Sequence, residues 1–232
     1  MHLLSDVLSS VPGVMHGFGT RTEPVPIPFM EMWPRKPLCK QVHGCNTVEV
    51  FSPAYDCGEA DGFYTGGVNI PLSIATADCV PILLARKSGE RIAAVHAGWR
   101  GTKSRILRAL WEKLIRIGED PSQWCAAVGP AIGPCCYEVS AELAAAFEAE
   151  FSEAGTGVAV PKPRTLDLQA INVFELKAIG LGQVDLIRAC TKCSGESENP
   201  TFFSYRENPR LAKRQYSVIA RTVAASSGIP YL

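Results

Sequence analysis

Thr76-Ala77-Asp78-Cys79-Val80-Pro81-Ile82-Leu83-Leu84-Ala85 and Ile92-Ala93-Ala94-Val95-His96-Ala97-Gly98-Trp99-Arg100-Gly101 are the two stretches on which the reading of this chain turns. In each, a short aliphatic run is bounded by Gly, Pro, Asp or Trp-Arg-Gly punctuation, the pattern of a buried strand. Reading outward, strands are expected over 46–51, 62–65, 69–76, 80–85 and 92–96, and later over 125–128, 184–189 and 215–222. Helical periodicity follows the first group. Ile106, Leu107, Leu110, Trp111, Leu114 and Ile115 share one stripe over 103–116, which Gly118 ends. Ser140 can cap a helix carrying Leu143, Phe147 and Phe151. Asp167 can cap one carrying Leu168, Ile171, Phe174 and Ala178, stopped at Gly180 or Gly182. Strand-rich and helical stretches alternate irregularly, which predicts a mixed α/β fold rather than a simple Rossmann sheet.

The 232 residues, 47% of them hydrophobic, suit a single domain over 1–232 with one large core. Pro24, Pro26, Pro28, Pro34 and Pro37 make 22–37 an extended connection, and 155–163 and 194–200 read as loops. A formal net charge of zero gives no electrostatic footprint for nucleic acid or an anionic membrane. The first residues lack a basic-then-apolar leader, and no run of about eighteen apolar residues could span a bilayer. Nine scattered cysteines, an odd number, point to reduced thiols and a cytoplasmic location. Adjacent Cys135 and Cys136 cannot bridge each other without strain.

Three residues carry the candidate chemistry: His43 in Lys40-Gln41-Val42-His43-Gly44, Cys79 and His96. Alone, each has an ordinary reading as a turn residue, a small core residue or a satisfied buried imidazole. Together, two neutral imidazoles and a thiolate make a three-ligand zinc set that leaves the fourth tetrahedral position open, as in a catalytic site. The long spacers from 43 to 79 and from 79 to 96 require the fold to build the site. Cys79 and His96 could instead form a thiolate–imidazolium nucleophile, for which His43 is not needed. One Cys and two His could hold a single copper, but four histidines fall short of a multicopper set. A non-catalytic chain keeping zinc for stability is a further alternative.

Other residues are read around that set. Asp78 reaches the metal only if the chain turns there; otherwise it is a carboxylate that caps or fixes a histidine tautomer. Arg100, among glycines before a helix, offers phosphate a planar fork of donors. Trp99 either stacks on a purine or packs in the core. The glycine- and proline-rich loop from Gly129 to Tyr137 is a tight turn or a cavity wall, with Glu138 a proton-transfer candidate. Cys190-Thr191-Lys192-Cys193 is a C-x-x-C pair with no matching partner pair in the sequence.

Gln41-Val42-His43-Gly44, Ala60-Asp61-Gly62, Thr76 to Pro81, His96 to Gly101, Val128-Gly129-Pro130-Ala131-Ile132-Gly133, Cys136-Tyr137-Glu138-Val139 and Phe202-Phe203-Ser204-Tyr205-Arg206 together resemble the YfiH/YlmD family. Its members are also called laccase-domain or multicopper polyphenol oxidase proteins, and are regarded as zinc-dependent purine nucleoside phosphorylases. The resemblance implies a four-layer α/β/β/α sandwich with two mixed sheets inside, similar to a bacterial toxin deamidase domain that uses a Cys–His pair. It implies zinc held by His43, Cys79 and His96, catalytic roles for Cys79, His96, Asp78 and Glu138, and substrate contacts from Arg100, Trp99, Gln41, Asp61 and Arg206. The implied partners are purine nucleosides and phosphate. The implied reactions are phosphorolysis of adenosine, inosine, guanosine or methylthioadenosine, and hydrolytic deamination of adenosine. A peptidoglycan-precursor editing role attached to some members would suit an amidase. Two departures stand out. Proline-rich 22–37 replaces the family's Gly-Gly-Val-Ser and Ser-Leu-Asn words and the helix before Gln41, and Leu211-Ala212-Lys213-Arg214 replaces a Thr-Gly-Arg word, with Arg214 able to serve instead.

Overall fold

Side chains alternate across a strand, and residues 80–85 are apolar on both faces, so this strand has to be covered on both sides. The computed structural model describes residues 1–196, 199–211 and 213–222. A one-turn helix α1 (Asp6–Ser9) leads to β1 (Val14–Phe18), followed by β2 (Leu38–Lys40), β3 (Thr47–Glu49), β4 (Asp56–Glu59) and β5 (Gly62–Thr65). Then come β6 (Leu72–Thr76), β7 (Val80–Arg86), β8 (Ile92–Ala97), α2 (Trp99–Lys103) and α3 (Ile106–Arg116). The remainder is β9 (Trp124–Val128), α4 (Ala141–Glu150), α5 (Leu168–Ile179), β10 (Gln183–Leu186), the short β11 (Gly195–Glu196) and β12 (Asn199–Pro200), and β13 (Gln215–Arg221).

Two sheets hold most of the strands. One has six in the order β10-β9-β7-β8-β5-β3 and is mixed, with β10–β9 and β3–β5 parallel and the central pairs antiparallel. The other is antiparallel, β1-β13-β6, and β2 with β4 forms a separate parallel pair. Val80, Ile82 and Leu84 of β7 and Ala93 and Val95 of β8 pack with Leu110, Trp111, Phe147 and Ile171 of α3, α4 and α5. Their alternates, Leu83, Ala85, Ile92 and Ala94, meet Phe18, Leu72, Ile74 and Ile219 of the smaller sheet. Both faces of the large sheet are thereby sealed. No helix among the described residues is long and apolar enough to cross a membrane.

The fourth layer departs from the sandwich that the resemblance implies. Val218 and Ala220, on the outer face of β13, are covered by Phe29, Met32 and Trp33 of the proline-rich segment, not by an α-helix. That segment makes only two 3₁₀ turns, Ile27–Phe29 and Trp33–Arg35. Prolines lack the N–H that an α-helix needs and clash with the preceding turn, so the cover is held by inserted side chains instead.

Helix ends follow their caps. Ser140 Oγ accepts from Leu143 N at 3.2 Å, and Asp167 accepts from Ala170 N at 2.9 Å. The expected helix over 103–116 begins only at Ile106, as α3, because Arg105 adopts φ 56° and separates it from α2, which ends at Lys103. Its guanidinium donates to Glu150 and to buried Glu175, clamping α3 to α4 and α5. Ile115 faces solvent, not the core, and so does Ala178, since α5 turns Gln169, Asn172 and Glu175 inward. The expected loop over 194–200 contains the β11–β12 ladder, with 197 and 198 outside the described residues, as is Ala212. β1 carries no strong sequence signal, because His16 and Gly17 interrupt its short apolar run.

Phe29 is fully buried. Phe29→Ala should lower unfolding free energy in urea by about 3–5 kcal/mol, the usual cost of emptying a phenyl site. A loss below about 1 kcal/mol would mean that the proline-rich cover is dispensable.

Candidate functional site

β6 belongs to the small sheet and β7 to the large one, so Ala77-Asp78-Cys79 must carry the chain across. Asp78 makes the crossing in a left-handed conformation, φ 93°, an arrangement that costs a non-glycine residue about 1–3 kcal/mol. Contacts hold it there. Its carboxylate accepts from Thr191 Oγ1 at 2.6 Å and from Arg206 N at 2.7 Å, and its carbonyl accepts from Ile132 N at 2.9 Å. The crossing places Cys79 beside the end of β8, where His96 is the penultimate residue. His43 arrives from the loop after β2, also left-handed at φ 62°. The candidate donor atoms of His43, Cys79 and His96 lie within 4.8 Å of one another.

Asp61 organises this set from behind. It is fully buried and does not line the cavity described below. Its carboxylate accepts from His43 N at 2.9 Å, Gly44 N at 2.7 Å and Val42 N at 3.2 Å, and from His96 Nδ1 at 2.7 Å. The last bond fixes the tautomer and leaves His96 Nε2 for the cluster. Burial would push the Asp61 carboxyl up, but the bonds from His96 and the backbone outweigh it and hold the pKa below its ordinary value. Burial likewise opposes ionisation of Cys79, yet hydrogen bonds from His43 and His96 bring the thiol down to about 6. For His96, burial is outweighed by Asp61 and Cys79, which raise it to about 9. A thiolate is therefore on hand at neutral pH, as ligand or as nucleophile.

The donor chemistry fits a metal ion. Two imidazoles and a thiolate converge, one imidazole is oriented by a carboxylate, and the backbone leaves room. That room depends on Gly98: a Cβ there would sit 3.0 Å from Cys79 Sγ and 3.2 Å from His43 Cδ2. Gly101 is equally constrained, because a Cβ would meet Gly44 O at 2.9 Å and push α2 off the His43 loop.

A cavity of about 750 Å³ opens above the three donors. Gln41, Asp78, Trp99, Arg100 and Arg206 line it with them, whereas Asp61 and Glu138 do not. Glu138 is exposed and paired with Arg164 at 3.0 Å. Gln41 is clamped to β6 by a bond in each direction, from its Nε2 to Ala75 O at 3.0 Å and from Ala75 N to its Oε1 at 2.9 Å. Trp99 packs one side on the core while Arg100 lies 4.7 Å over its ring. Arg206 donates to Glu138 O at 2.8 Å and lies over Tyr137. Sequence reasoning missed Lys36 and Thr76 as lining residues, whereas Tyr137 stands at the end of the loop expected as a cavity wall; Thr76 Oγ1 is buried with no hydrogen-bond partner among the described residues. Lys36, Arg100, Arg206 and Arg214 face one carboxylate, Asp78, so the cavity favours an anion.

A family model described as multi-copper polyphenol oxidoreductase laccase matches residues 30–222. A purine nucleoside phosphorylase of Deinococcus radiodurans is 37% identical over 180 residues, 77% of this chain and 67% of that one. A protein named adenosine deaminase RL5, from an unknown prokaryotic organism, is 33% identical over 198 residues, 78% of this chain and 73% of its own. The crystal structure of YlmD from Geobacillus stearothermophilus superposes with a TM-score of 0.77 at 26% identity, over 94% of each chain.

Asp61→Asn keeps the side-chain volume and removes the charge. It should weaken metal binding roughly 10–100-fold in a chelator competition, although Asp61 is not a ligand. Unchanged affinity in a folded variant would remove Asp61 from the account.

Proposed function

The chain belongs to the multi-copper polyphenol oxidoreductase laccase family of YfiH and YlmD proteins, and we propose that it is a single-domain, zinc-dependent purine nucleoside phosphorylase that also deaminates adenosine and cleaves methylthioadenosine. The observation that carries this reading is the three-donor set of His43, Cys79 and His96 at the floor of a cation-lined cavity. Zinc, when bound, would supply Lewis acidity at that floor. The remaining work falls to side chains. Trp99 and Tyr137 offer aromatic surface to a purine, and Arg100 and Arg206 offer donors to phosphate. Arg100 acts through its own guanidinium, since the five-residue α2 has too short a dipole to attract an anion by itself. Of the two carboxylates proposed for proton transfer, Asp78 lines the cavity and Glu138 points to Arg164, which favours Asp78.

Copper oxidase chemistry finds less support despite the family's description. His2 is paired with Glu23 at 2.6 Å and His16 accepts from Ser5 N at 2.8 Å, so two of the four histidines are committed far from the site. That leaves too few imidazoles for a multicopper set.

One observation favours a second reading. Asp61, His96 and Cys79 stand in the order orienter, base and nucleophile, which a cysteine hydrolase or amidase would use, peptidoglycan precursors included. Such an enzyme would keep full turnover after exhaustive chelation, whereas the zinc reading requires turnover to vanish and return with added zinc.

Phosphorolysis consumes phosphate and deamination does not. With adenosine as substrate, chromatography of adenine, inosine and hypoxanthine across a phosphate titration separates the two. Arg100→Ala should raise the phosphate needed for adenine release by roughly ten- to a hundredfold, as for loss of a charge-assisted contact of about 1.5–3 kcal/mol. Inosine formation should change far less. Equal losses of both reactions would mean that Arg100 shapes the whole site and does not bind phosphate.

A further inference from the structure

A second set of metal donors lies beside the cavity wall. Gly133 to Tyr137 forms a tight turn, with Cys136 N and Tyr137 N both donating to Gly133 O at 2.9 Å. This turn presents Cys135 and Cys136. A second turn, closed by Ser194 N donating to Cys190 O at 3.0 Å, presents Cys190 and Cys193. A parallel bridge between Ala131 and Cys190 joins them, and Thr191 N donates to Ala131 O at 3.0 Å. As a result all four Sγ atoms lie within 4.8 Å of one another, with Cys135 and Cys193 3.5 Å apart.

Distances and ligand type decide what such a set can hold. Zinc–sulfur bonds of about 2.3 Å in a tetrahedron place the sulfurs about 3.8 Å apart. The cluster is already near that spacing and needs only small side-chain adjustment. A disulfide requires sulfurs at about 2.05 Å, and the adjacent pair Cys135–Cys136 cannot make one without strain. Four thiolates also close the coordination sphere, unlike the three donors at the cavity floor, so this site would have no open position for substrate. We infer that Cys135, Cys136, Cys190 and Cys193 form a second, structural metal site that takes one tetrahedral zinc ion.

Its consequence for the cavity follows from the same two turns. Ile132 and Tyr137 line the cavity next to the first turn, and Thr191 of the second donates to Asp78, the residue that turns Cys79 into place. A zinc ion across the turns clips this wall together, and it does so whatever reaction the cavity supports.

Metal content tests this on the whole protein, purified under reducing conditions without added metal. Wild type should carry two zinc equivalents. His43→Ala and the double variant Cys135→Ser/Cys193→Ser should each retain one, so failure of the first site and failure of the second give different patterns. Zinc-edge X-ray absorption on the wild type needs no folded variant. It should report an average of about 2.5 sulfur ligands per zinc over the two sites, against about one if only the first site is filled. A single equivalent with about one sulfur ligand, or a disulfide among these cysteines found by mass spectrometry in the zinc-replete protein, overturns the assignment.

Discussion

Asp61 is buried beyond the reach of water, and a carboxylate in that position is tolerated only where hydrogen bonds replace its hydration. Four groups do so: three consecutive backbone N–H groups of the His43 loop and the Nδ1–H of His96. The one charge therefore sets the position of one candidate ligand through its backbone and the tautomer of another through its ring. Its own backbone carbonyl accepts from His96 N at 2.7 Å, which ties the same two segments a second time. Neutralising it would weaken all four contacts at once, and an unmatched donor on the buried His96 ring alone would cost about 1–3 kcal/mol.

The third donor depends on a different constraint. Cys79 stands where the chain passes from one sheet to the other, and Asp78 absorbs the required left-handed turn. The two acidic residues thus divide the labour: Asp61 holds the histidines, and Asp78, through Thr191 and Arg206, holds the crossing. Both sheets must be present for the site to exist. This is why the candidate ligands are so far apart in sequence, and why residues of both sheets line the cavity.

Local signals were readable wherever local physics decided the outcome. Ser140 and Asp167 cap the helices that their positions announce, and the apolar runs of β7 and β8 are strands because both their faces are buried. His43, Cys79 and His96 were legible only as a set of words in order, since each alone has a commonplace role. Asp61 read as a substrate residue because nothing nearby reveals that its partners are the backbone of 42–44 and a ring in another strand. Asp78 was equally undecidable, because its φ is imposed by the sheet crossing. The break at Arg105 was hidden for a similar reason: Glu150 and Glu175, far along the chain, hold that residue in its left-handed conformation. Cys190 and Cys193 lacked a visible partner pair because their neighbours in space are the adjacent Cys135 and Cys136, brought close by a single β-bridge.

The central claim is that His43, Cys79 and His96 act as one metal-holding set and that His43 is as necessary as the other two. Zinc content and adenosine turnover of His43→Ala, measured on the same folded sample, test it most directly. The account predicts loss of the cavity-floor zinc and of turnover together, with circular dichroism unchanged. Full turnover in a variant that has lost that zinc would contradict it and leave Cys79 and His96 as a metal-free pair.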